Sequence, residues 1–162
     1  MINALDILTI IKETLEKLGG KYYSHDSMML IYRTGLVESK FKYLMQKGGD
    51  NLARGFFQCE PWVAVSLCND YLKYRETLMK RVADVCYLDW KHFTQPDEDE
   101  WREILTTNVK AMIVACRLHY WRVPQPLPKT LEDQAVYWKV FYNTSKGAGT
   151  VEHFKEIVAK YG

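Results

Sequence analysis

Arg33-Thr34-Gly35-Leu36-Val37-Glu38-Ser39-Lys40 and, beyond Gly48-Gly49-Asp50-Asn51, Ala53-Arg54-Gly55-Phe56-Phe57-Gln58-Cys59-Glu60-Pro61 are the stretches on which the reading of this chain turns. The first closes a helical pattern. Met28, Met29, Ile31, Tyr32, Leu36 and Val37 follow Ser24 or Asp26 as a cap, and the period fades after Glu38. The second ends on a proline, which the first helical turn tolerates because an N–H there has no intrahelical partner. Val63, Val65, Leu67, Cys68 and Leu72 then carry the next helix. Residues 39–59 are therefore predicted as a loop or short β-hairpin between two helices, with the glycine turn as the only β signal in the chain.

Outward from this segment the pattern is helical. Ala4, Ile7, Leu8, Ile11, Leu15 and Leu18 recur at spacings of three and four before Gly19-Gly20, predicting an amphipathic helix over 3–18. Another helix is expected from about Tyr74 to Tyr87. Asp97-Glu98-Asp99-Glu100 loads the start of a long apolar-periodic stretch, Trp101, Ile104, Leu105, Val109, Met112, Ile113 and Cys116. Residues 122–129 include Val123-Pro124-Gln125-Pro126-Leu127-Pro128, a rigid extended connector. Thr130-x-x-Asp133 has the form of a capping box and opens a helix through Tyr137, Trp138, Phe141 and Tyr142, which Gly147 and Gly149 break. Thr150 caps a last helix to Lys160. The expectation is one mainly α domain over 1–162.

Composition narrows the function classes. Lys+Arg 22 against Asp+Glu 20 gives no strong basic field, so nucleic acid is not expected as a partner. The interleaved charges of the first helix suit neither a signal peptide nor a membrane span, and no membrane insertion is expected. Cys59, Cys68, Cys86 and Cys116 are widely spaced and read as buried thiols; no metal or cofactor is proposed. The excess is aromatic, with eleven Tyr, six Phe and five Trp, so some rings are expected to face a ligand.

Glu38 follows Leu36 and Val37 at the end of an apolar helix and is expected where a hydrophobic wall meets a cleft, an environment that disfavours the carboxylate and raises its pKa. A carboxylic acid protonated near neutral pH can protonate a glycosidic oxygen. Together, Glu38-Ser39, the Gly-aromatic-x-Gln segment Gly55-Phe56-Phe57-Gln58, and the late Tyr142-Asn143-Thr144-Ser145-Lys146-Gly147-Ala148-Gly149 resemble the lytic transglycosylases and goose-type lysozymes found among bacteriophage lysis and virion proteins. The spacing after Asn143 departs from that family's commonest Tyr-Asn-x-Gly.

The resemblance implies an α+β lysozyme-like fold, with residues 39–59 as the active-site loop or hairpin. It implies cleavage of the β-1,4 bond between N-acetylmuramic acid and N-acetylglucosamine in peptidoglycan, with Glu38 as the catalytic acid. Gln58 matches the glutamine that lines the saccharide cleft, and Tyr142, with Asn143 beside it, the aromatic hydroxyl near the carboxylate. Phe56 and Phe57 are further candidates for cleft lining. Glu60 and Asp50 are the candidates for a second carboxylate, which a hydrolase would hold roughly 6.5–9.5 Å from the first for inversion or roughly 5–5.5 Å for retention; Glu60, just before Pro61, also suits a helix cap. The expected setting is synthesis in a host cytoplasm followed by action on the wall, virion-borne or through a holin. The alternative is a virion structural or assembly protein that keeps the fold and binds tail or head components.

Overall fold

The computed structural model describes residues 2–162. Its helices, in chain order, are α1 (Ala4–Leu18), α2 (His25–Ser39), α3 (Pro61–Asp70), α4 (Glu76–Cys86), α5 (Lys91–Thr94), α6 (Glu98–Thr107), α7 (Val109–Trp121), α8 (Leu131–Trp138) and α9 (Val151–Tyr161). A 3-10 turn, Leu72–Tyr74, precedes α4, and a π turn, Lys139–Asn143, extends α8. The chain is mainly helical, as its periodicity predicts.

The caps explain most boundaries. Ser24 and Ser27 form a reciprocal capping box at α2, Asp97 accepts from the Glu100 amide at α6, and Thr130 and Thr150 accept from Asp133 and His153. Pro61 takes the first position of α3, with Glu60 at its N-cap. The Glu60 side chain makes no capping hydrogen bond there, so the capping role expected of it is not realised.

The stretch from Trp101 to Cys116 is not continuous. Asn108, extended at φ −108°, separates α6 from α7: its Oδ1 accepts from the Ala111 amide, while its Nδ2 donates to Cys86 O at 2.9 Å. A short polar side chain that captures backbone on both sides outweighs helical continuation.

Helix α7 is buried on every side from Ala111 to Leu118, Arg117 included, and is correspondingly central. One side, Ala111, Val114, Ala115 and Leu118, packs with α3, α4 and α6; the other, Met112, Ile113, Cys116 and Tyr120, packs with α1 and α2. A smaller cluster of Ala135, Trp138, Phe154 and Val158 joins α8 to α9. All four cysteines are free and buried.

Residues 39–59 form no strand ladder. They hold two isolated antiparallel bridges, Met45 with Arg54 and Arg54 with Cys59, around a compact turn. The turn lies so close to α7 that Gly55, at φ +74°, touches it: a Cβ there would meet Leu105 O at 2.5 Å and Met112 Cγ at 2.9 Å. Gly35 has a similar role on α2, where the Phe41 ring occupies the space of its missing side chain. Phe56 and Phe57 point into the core, each edge-on to Phe41.

Gly55→Ala combines left-handed backbone strain with a backbone clash, and the expected cost is about 3 kcal/mol. Urea unfolding followed by circular dichroism measures it.

Candidate active site

A cleft of about 610 Å³ opens where the end of α2, the 53–59 turn, the start of α3 and the segment after α8 converge. Glu38, Gln58, Glu60, Trp62, His119 and Tyr142 are among its lining residues. The end of α2 and the residues just beyond it build the floor. Ser39, buried, donates from Oγ to Phe56 O at 2.7 Å and accepts from the Phe41 amide at 3.0 Å, while Lys40 and Phe41 take positive φ to turn the chain back. Tyr142 donates from its hydroxyl to Phe57 O at 2.7 Å. The two phenylalanine carbonyls are thereby satisfied, one by Ser39 and the other by Tyr142.

Glu38 is partly buried, with its carboxylate set among packed protein atoms at the cleft wall. Desolvation raises its pKa from 4.5 to about 7; the Trp138 indole, which donates from Nε1 to Oε1 at 2.9 Å, pulls the other way. Burial wins because one N–H stabilises only part of the charge that water would otherwise solvate. Nearby groups are poor substitutes for this acid. Burial pushes the Cys59 thiol up to about 12, so it is not a thiolate at neutral pH. His119 is held below its ordinary value by burial, and its Nε2 lies 2.9 Å from Phe141 O, which assigns the proton of the neutral ring to Nε2.

Of the residues expected at a site, Glu38, Gln58, Glu60, Tyr142 and Asn143 are brought together. Gln58 sits at φ 49° with its amide donating to Gly55 O at 2.8 Å, so the amide is oriented by the turn it belongs to. Asn143 is fixed through Oδ1 by Lys139 Nζ at 2.7 Å; the same ammonium holds Thr144 O and Gly147 O, each at 2.9 Å, and so pins the loop that forms one wall. Glu60 accepts from the Trp62 indole N–H.

Three expectations change. Phe56 and Phe57 do not line the cleft, because with no polar atom both rings gain more from the core against Phe41 than from a wet surface. Asp50 lies outside the lining, in the exposed glycine turn, where its Oδ1 accepts from the Leu52 amide at 3.3 Å. The aromatic lining comes instead from Tyr43, Trp62 and Tyr142, rings with a polar handle. Trp138 also belongs to the site, although helical spacing alone marks it as core. The sequence signal for it is its position four residues before Tyr142, which puts both on one helix face.

No protein-family model, curated protein or solved structure matches the chain.

The Glu38 environment sets a stability dependence on pH. A carboxyl whose folded pKa exceeds its unfolded value stabilises the native state below about 4.5, and that stabilisation is lost as pH rises through about 7. Glu38→Gln is therefore expected to exceed the native chain in stability by up to about 3 kcal/mol at pH 8 and to match it near pH 4. Denaturant titrations at the two pH values check the sign.

Proposed function

We propose that the chain is a peptidoglycan-cleaving glycosidase of the lysozyme-like kind, acting on the β-1,4 bond between N-acetylmuramic acid and N-acetylglucosamine by lytic transglycosylation. The observation that carries this reading is Glu38: one carboxyl group, kept partly protonated at neutrality by burial, on the wall of a large cleft beside Gln58 and Tyr142. The order of Glu38-Ser39, Gly55-x-x-Gln58 and Tyr142-Asn143 along the sequence supports it independently.

In this mechanism the Glu38 carboxyl protonates the glycosidic oxygen as the bond to the muramic C1 breaks. The resulting carboxylate then takes the proton of the muramic 6-hydroxyl, whose oxygen closes on C1. An anhydro end forms and Glu38 returns to its protonated state, so no water enters and no second carboxylate is needed. Burial suits the acid step, and the Trp138 N–H suits the carboxylate that exists between the two steps. Asp50 lies outside the cleft, so Glu60 is the one further carboxylate in its lining among the described residues, and the one-carboxylate route requires neither.

Glu38→Gln is expected to lower the rate of cell-wall clearing by about a thousandfold. Unchanged clearing by that variant would remove Glu38 from the mechanism, and mass spectrometry of the released muropeptides distinguishes anhydro from reducing ends. Trp138→Phe removes a hydrogen bond that favours the carboxylate, so the pKa of Glu38 rises further. The alkaline limb of the rate profile, near pH 7 in the native chain, is expected to move to higher pH in that variant; a pH series of initial rates reads the shift.

A further inference from the structure

A second concavity, of about 550 Å³, lies between the α1–α2 junction, the 3-10 turn and the start of α4. It shares no lining residue with the Glu38 cleft, so its chemistry is independent of catalysis there. Lys21, Arg75 and Arg81 bring positive charge to it from separate parts of the chain. Both guanidiniums are held in place. Arg75 donates from Nη1 to Tyr71 O at 3.0 Å, with its Cζ 3.8 Å from the Tyr71 ring centroid; Arg81 donates from Nη1 to Leu18 O at 3.1 Å. A guanidinium carries five N–H donors, so each retains others for a ligand. The lining carboxylate, Glu76, pairs with Lys80 at 2.8 Å and so offsets little of this charge.

The remaining lining is aromatic and hydroxylic. Tyr22, Tyr71 and Tyr74 edge the groove, and Tyr74 is 72% exposed, with Lys73 Nζ 5.9 Å from its ring centroid. Thr77 and Leu78, in the first turn of α4, line the same side. Fixed guanidinium forks match the geometry of a phosphate better than that of any uncharged group. An exposed tyrosine face beside them suits the apolar face of a ring that carries the phosphate.

We propose that this groove is a second binding site, for a phosphate group carried on a sugar: Arg75, Arg81 and Lys21 take the phosphate and Tyr74 takes the sugar ring. Titration of the labelled full chain with glucose 1-phosphate, read from backbone amide shifts, is expected to move Tyr22, Thr77, Leu78 and Arg81 along saturable curves. Arg75→Gln with Arg81→Gln is expected to weaken binding by more than about tenfold. Lys21→Gln, an exposed position that leaves both guanidinium–carbonyl bonds in place, is expected to weaken it about threefold without altering the unfolding midpoint. Linear, non-saturating shifts, or affinities unchanged in both variants, would overturn the site. Inorganic phosphate binding as tightly as glucose 1-phosphate, with Tyr74→Ala having no effect, would overturn the sugar assignment.

Discussion

The seating of the 53–59 turn against α7 is the contact on which the rest of the arrangement depends. Gly55 lacks a side chain where any Cβ would strike Leu105 O, and this lets the turn settle at the junction of α6 and α7. Once it is seated, Phe56 and Phe57 enter the core and draw their carbonyls in with them. Ser39 and Tyr142 then serve as the partners those carbonyls require, which ties the end of α2 and the segment after α8 to the same turn. Glu38 inherits its position from these constraints. It precedes Ser39 in sequence, so fixing the serine fixes the carboxyl beside the cleft.

The same packing gives Glu38 two opposed influences. Burial makes the charged form costly, while Trp138, itself buried against Phe154, offers it one directed N–H. A backbone carbonyl would satisfy the indole equally well without placing a carboxylate in a poorly solvated position. Directing the indole at the carboxylate instead stabilises its charged form against the burial that opposes it.

The helices are legible in the sequence because their signals are local. Ser24, Asp97, Thr130 and Thr150 act at their own helix ends, and Pro61 announces the start of α3 within one residue. Asn108 is hidden because its decisive hydrogen bond goes to Cys86, remote in sequence, and an apolar period runs through it unbroken. The site divides in the same way. Glu38 stands out as a carboxylate at the end of an apolar helix. The inward turn of Phe56 and Phe57 depends on Phe41, whose own ring lies in the gap left by Gly35, a relation no periodicity expresses. Trp138 has the spacing of a core residue and is one; periodicity does not reveal that its one polar atom reaches across from α8 to α2.

The aromatic excess acquires a different meaning in three dimensions. Phenylalanines fill the interior, whereas the rings at the two concavities, Trp62 and Tyr142 in one and Tyr71 and Tyr74 in the other, all carry an N–H or O–H. At the first concavity the polar atoms are engaged by protein: Trp62 by Glu60 and Tyr142 by Phe57 O. These bonds orient the two rings in the cleft wall, and Trp62 orients Glu60, the one other carboxylate that lines the cleft among the described residues. A water nucleophile would need a second carboxylate to activate it. In the proposed transglycosylation the nucleophile is instead a hydroxyl that arrives already attached to the substrate, and walls held before binding suit the task of keeping that hydroxyl against the reacting carbon.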